Sequence, residues 1–171
     1  MTLFAERGPA EDALKTRKLN GKGDDQMFDQ WSNILNFLMY LGVTLPLLGV
    51  GIAVFLFTTP YKEFQLIRDG ADTTDPQKAA AAKAAAHDLG GKILGLSIVL
   101  ASAVFHSLSL GDLILWGLIG ILFQVLVFYL FELLTPFKVV SEIPKGNVSV
   151  ALFASRLSLA SGLLMAALIS Y

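Results

Sequence analysis

Residues 113–134 read LILWGLIGILFQVLVFYLFELL, a run in which Glu132, near the end, is the only charged residue. A hydrocarbon core about 30 Å thick is crossed by ~20 apolar residues in a helix, and this stretch supplies them. In lipid the backbone has to satisfy its own hydrogen bonds. A run this long and continuous does so as a helix, since barrel strands would be about ten residues of alternating polarity. Outward from it, Ile34 to Phe57 and Ile93 to about Leu110 have the same character, and Val148 to Ser170 does so with Arg156 inside it. The reading is an all-α integral membrane protein with four transmembrane helices and no sheet. Gly111 opens the short break after the second run and Asp112 is placed to cap the third helix, so these two helices form an antiparallel hairpin.

Composition agrees with this reading. Of 171 residues, 54% are hydrophobic and 16% charged, and the charged ones gather between the apolar runs, where a soluble protein would spread them over its surface. A net charge of −1 offers no concentrated positive face, so nucleic acid is not an expected partner. The absence of cysteine removes disulfides, thiolate metal sites and cysteine catalysis together. The polar stretch Met1 to Gln30 is not a cleavable signal, which leaves insertion to the first apolar run.

Lysine and arginine set orientation. Lys62, Arg68, Lys78, Lys83, Lys92, Lys138 and Lys145 fall on one side, and Lys15, Arg17, Lys18 and Lys22 on the other. Seven against four places both termini outside the cytoplasm. Asp75-Pro76 and the alanine-rich stretch Gln77 to Ala86 have the cap, the first-turn proline and the propensity for a short cytoplasmic helix. It serves as a partner-binding helix or as a solvated spacer, and it either runs straight into the second membrane helix or is interrupted at Gly90-Gly91.

The chain also matches itself. FLFTTPYKEFQLIRDG at 55–70 aligns without gaps on FELLTPFKVVSEIPKG at 131–146, a shift of 76, and Leu100-Ala101-Ser102-Ala103 answers Leu159-Ala160-Ser161-Gly162 at a shift of 59. The shared Thr-Pro-aromatic-Lys ends a membrane helix, sets a ring at headgroup level and anchors a lysine on the cytoplasmic face. The organisation expected is a polar tail over 1–33, a first two-helix repeat over 34–110 with an insertion at 71–88, and a second over 111–171. With two helices per copy, the repeats are tandem and parallel.

These residues resemble a known family. TPYKEFQLIRDGA at 59–71, SLSLGDLILWG at 107–117 with Gln124 following, and SLASGLLMAALIS at 158–170 are similar to the uncharacterised bacterial inner-membrane proteins of the YjfL type (UPF0719-like), built on a repeated domain of unknown function, number 350. The likeness covers about 34–171. Two departures are the inserted region Asp72 to Lys83 and the longer polar tail. The resemblance implies a four-helix protein of the bacterial inner membrane with a role in membrane maintenance or envelope stress, and it brings no catalytic or ligand residues.

Among candidate residues, Arg156 stands out, because a cation near a helix centre costs about 2.5–3.5 kcal/mol on the insertion scale. Side chains lean toward the helix N-terminus, which directs Arg156 toward the level of Glu132. Either the two form an ion pair or each snorkels separately to the interface. At the repeat shifts their counterparts are Leu56 and Ser97, so both charges belong to the second copy. Ala154, Ser158, Gly162 and Ala166 form a small-residue stripe for close helix contact, which Gly91 and Gly95 repeat on the second helix. The stripe serves bundle packing or an oligomer. Gln124 either lines a polar site or bonds across helices, and Pro46 kinks the first helix. His87 and His106 lack ligand spacing, so neither metal nor cofactor is expected. The leading function is a non-enzymatic scaffold in envelope maintenance that oligomerises or binds a membrane partner. A small channel or transporter comes second and a membrane enzyme last.

Overall fold

A computed structural model describes the backbone of residues 9–71 and 73–170 and the side chains of 29–71 and 73–170. Its helices are α1 (Pro9–Thr58), α2 (Glu63–Ala71), α3 (Pro76–His106), α4 (Leu110–Leu134), α5 (Val139–Glu142) and α6 (Val148–Ile169). No strand occurs among the described residues. Four segments are long and apolar enough to cross a membrane: Asp29–Thr58 of α1, α3, α4 and α6. At ~1.5 Å per residue even α6, with 22 residues, exceeds a 30 Å core. The chain divides into two units, Met1–Leu41 and Gly42–Tyr171, and everything below concerns the second.

Helix ends follow local chemistry. Pro76 opens α3 behind Asp75, whose carboxylate accepts from the amides of Gln77 (2.9 Å) and Lys78 (3.4 Å). The cap of α4 is Ser109, one turn earlier than the expected Asp112. Its hydroxyl accepts from Asp112 N at 3.2 Å, while the Asp112 carboxylate accepts from Leu108 N at 3.0 Å. This reciprocal arrangement resembles a capping box and satisfies two otherwise orphaned donors. The Thr-Pro elements end α1 and α4 alike: Thr59 donates to the Phe55 carbonyl and Thr135 to that of Phe131, each at 2.8 Å. Gly146 has φ +81°, and Asn147 then caps α6 by accepting from Val150 N.

Helices α3 and α6 form the central seam. A Cβ added to Gly162 would stand 2.4 Å from the Gly95 carbonyl oxygen, one on Gly95 2.3 Å from that of Ser158, and one on Gly91 2.4 Å from the Ser155 Cα. The stripe Ala154, Ser158, Gly162 and Ala166 thus lies on the helix whose small residues meet those of α3. The first three are buried and Ala166 is half-buried, with its carbonyl accepting from Ser102 Oγ at 2.8 Å. Within this unit α1 buries Leu47, Gly51 and Phe55, one ridge at a four-residue spacing, against Leu96, Leu100 and Ile121. Leu115, Leu122, Leu126 and Leu133 stand exposed along α4 at helical spacing. That apolar face is solvated by lipid tails.

The alanine-rich stretch is neither a spacer nor a separate helix. α3 continues through Gly90-Gly91 without a break, and Ala81, Ala82, Ala84 and Ala85 are buried. Ala84 and Ala85 pack with Tyr61, Val139, Ile143 and Ala151. A Cβ on Gly70 would meet the Lys78 carbonyl oxygen at 2.3 Å, so α2 lies directly on this part of α3. Alanine suits both demands, because it has the highest helix propensity and leaves room for a close neighbour.

Candidate functional site

A buried ionic cluster sits where α1 ends. Pro60 terminates the turn after α1 and Tyr61 follows it into the core. Glu63 begins α2, and Asp88 and Lys92, four residues apart, share one face of α3. Exposure is 8% for Tyr61, 0% for Glu63 and Asp88 and 3% for Lys92, so water does not screen the group. The Lys92 ammonium lies 2.6 Å from Asp88 Oδ2 and 3.7 Å from Glu63 Oε1, and it donates to Thr59 Oγ1 at 3.2 Å. The Tyr61 hydroxyl donates to Asp88 Oδ2 at 2.5 Å. The ring of Phe128, from α4, covers the ammonium at 4.4 Å, a cation-π distance. Tyr129 on the next position donates to the Thr58 carbonyl and ties α4 to the foot of α1.

The cluster has more negative than positive character. Asp88 Oδ2 is shared by two strong donors, but Asp88 Oδ1 and both Glu63 oxygens are buried without a hydrogen-bond partner. Removing an ion from water costs several kcal/mol unless its geometry is nearly complete. Burial accordingly raises the Glu63 carboxyl above its ordinary value, outweighing the opposing pull of Lys92 at 3.7 Å. Burial, then the neighbouring Asp88, Glu63 and Glu132, keep the Tyr61 phenol protonated and therefore a donor. Among the described residues no three His, Asp or Glu side chains converge as a metal site.

The residues singled out in sequence are arranged differently. Arg156 and Glu132 do not form an ion pair. Arg156 is exposed, while the half-buried Glu132 carboxylate accepts from Val140 N at 3.4 Å and the Glu132 carbonyl from Lys138 Nζ at 2.9 Å. The elbow after α4 supplies the Glu132 carboxylate with a nearer donor in Val140 N. Gln124 is 3% exposed and bonds across helices: Nε2 donates to the Ser158 carbonyl at 3.3 Å and Oε1 accepts from Ser161 Oγ at 3.0 Å. Ala154 and Ser158 line the same small crevice as Gln124, whose volume is about 10 Å³. His87 is exposed, and His106 ends α3 with Nδ1 2.9 Å from the Ser102 carbonyl.

Glu63 and Asp88 were passed over in sequence, and Lys92 was counted only as an orienting charge. Two signals pointed to them. Asp88 and Lys92 stand at i,i+4 on a continuous helix, and the repeat shifts pair Glu63 with Val139 and Lys92 with Ala151, charge against apolar.

The model of Domain of Unknown Function 350 matches residues 29–169. The chain belongs to the DUF350 family. Among its relatives, the UPF0719 transmembrane protein YshE of Bacillus subtilis is 31% identical over 143 residues, covering 82% of this chain and 98% of YshE. The UPF0719 inner membrane protein YjfL of Escherichia coli K12 is 27% identical over 139 residues, 81% of this chain and 96% of YjfL. No solved structure matches. As a DUF350 protein with four apolar helices, the chain is a multi-pass protein of the bacterial inner membrane.

Proposed function

We propose that the protein is a non-enzymatic scaffold of the inner membrane that oligomerises or binds a membrane partner. The observation that carries this reading is the closed interior. Along the α3–α6 seam glycine backbones touch, and the crevice at Gln124, about 10 Å³, has room for about one water. Such close packing among the described residues favours a scaffold over a route for an ion through a single molecule. Its outer surface is the available one, and the leucines along α4 offer an apolar face to lipid or to another membrane helix. A role in envelope maintenance rests on the family resemblance, and termini outside the cytoplasm rest on the distribution of lysine and arginine. The matching bonds of Thr59 and Thr135 support a tandem two-helix repeat.

Copy number in nanodiscs, read by single-molecule photobleaching, tests the scaffold, together with ion flux into liposomes carrying the same protein. More than one copy per particle and no flux is the expected result. Selective flux that Gln124→Leu abolishes would replace the scaffold with a channel, since Gln124 is, with Ser158 and Ser161, a buried polar side chain of the crevice.

A further inference from the structure

The buried cluster implies a ligand that its geometry leaves unpaired. With Lys92 charged and both carboxyls ionised, the group carries one uncompensated negative charge out of contact with water. Asp88 has the better claim on Lys92, at 2.6 Å, and also receives the Tyr61 hydroxyl. Glu63 has Lys92 at 3.7 Å and no hydrogen-bond donor on either oxygen. Neutralising Glu63 balances the cluster to a Lys92–Asp88 ion pair beside a carboxylic acid, and a proton does this without enlarging the space. We propose that Glu63 is a proton-binding site, with Lys92 as the counter-ion shared between it and Asp88, and with the elbow from α1 to α2 as the element that the bound proton acts on.

The step is a simple dissociation: the Glu63 acid releases one proton to water and becomes a carboxylate. Glu63 is among the residues lining a surface crevice of about 300 Å³, with Lys62 and Gln65, while both of its carboxyl oxygens are buried beneath it. The groups that face the site are Tyr61 from the elbow, Asp88 and Lys92 from α3, and Glu132 from α4, which acts on Tyr61. When Glu63 ionises, Lys92 stands between two carboxylates and its bond to the Thr59 hydroxyl competes with both. Thr59 and Glu63 bracket the elbow, so proton release changes what holds α2 to the foot of α1. This holds whether the molecule is a scaffold or a channel.

The test is infrared spectroscopy of the full chain in nanodiscs as a function of pH. The wild type is expected to show the carbonyl stretch of a protonated carboxylic acid at pH values where a solvated glutamate is already ionised, lost on raising the pH further. Glu63→Gln, which copies the neutral form and keeps its shape, is expected to lack the band, and Glu132→Gln to retain it. Lys92→Met removes the counter-ion and should move the titration upward by about one unit or more. A wild-type band lost at the pH where a solvated glutamate ionises overturns the proposal, and so does a band that persists in Glu63→Gln.

A second measurement needs no spectral assignment. The native Glu63 carboxyl lies above the ordinary 4.5, so in the window upward from 4.5 the folded state holds a proton that the unfolded state releases. Stability then falls as pH rises through that window to the native midpoint and is flat above it. Thermal unfolding in detergent should show this slope in the wild type and lose it in Glu63→Gln. An equal slope in both proteins overturns the proposal.

Discussion

The foot of α1 and the foot of α4 are built on one plan and filled with opposite chemistry. In each, a threonine after the membrane helix bonds back to a carbonyl four residues earlier, a proline stops the helix, an aromatic follows and a short helix begins. At the repeat shifts Tyr61 answers Phe137, Glu63 answers Val139, Asp88 answers Asn147 and Lys92 answers Ala151. Val139 and Ala151 are buried in an apolar cluster, and Asn147 is spent on capping α6. The second elbow shows that this geometry closes without a buried charge. Three ionisable groups and a phenol at the first are therefore not required by the fold. A buried ion pair is weak evidence for stability, which leaves room here for a role other than holding the helices together.

The largest effect expected from breaking that contrast is at Lys92. Lys92→Met leaves Glu63 and Asp88 without a cation and should cost about 3–5 kcal/mol in reversible unfolding in detergent. Tyr61→Phe, Glu63→Val, Asp88→Asn and Lys92→Ala combined turn the first elbow into the second and should recover at least about half of that loss, the remainder being the cavity left by lysine. If the combined variant is as damaged as Lys92→Met, the charges are structural and the contrast loses its meaning.

The seam tests whether the two halves contribute equally to packing. Gly95 comes from the first and Gly162 from the second, and an added Cβ on either meets a carbonyl oxygen of the facing helix. Gly95→Ala and Gly162→Ala should each lower stability by about 1–3 kcal/mol. Gly49→Ala, with nothing within 4 Å of the new carbon, should be neutral or gain up to about 1 kcal/mol. A smaller difference is expected at Gln124, whose counterpart in the first half is Leu48. Gln124→Leu loses bonds to Ser158 and Ser161 and should cost about 0.6–1.7 kcal/mol, the range for polar contacts between membrane helices.

The four membrane helices were legible because length and apolarity are local properties of a chain in lipid. So was the interhelical role of Gln124, for which the membrane offers few other partners. The cluster was harder to see, since three of its members look like ordinary interfacial charges until tertiary packing buries them. Lys92 was counted among the orienting charges of one side, and Gly90-Gly91 separately suggested a break in the helix. Packing of α3 against α2 and α6 holds the helix continuous through that pair and turns Lys92 inward. Arg156 and Glu132 misled for the converse reason: depth along a helix is readable from sequence, but the direction a side chain faces around the bundle is set by neighbours. Glu132 found Val140 N in the adjoining elbow instead.

The 31 residues of α3 exceed what a bilayer needs, and the excess lies at its N-terminal end. From Lys92 to Pro76 the helix extends ~24 Å at ~1.5 Å per residue, packed against α2 and the elbow after α4. Gln77, at the tip, donates to the Lys145 carbonyl at 2.6 Å. Membrane helices meet changes in bilayer thickness by tilting, and a tilt of about 10° would sweep this tip by about 4 Å, more than a hydrogen bond can follow. A change in bilayer thickness that tilts α3 would therefore have to carry α2 and the elbow after α4 with it, or break the Gln77–Lys145 bond.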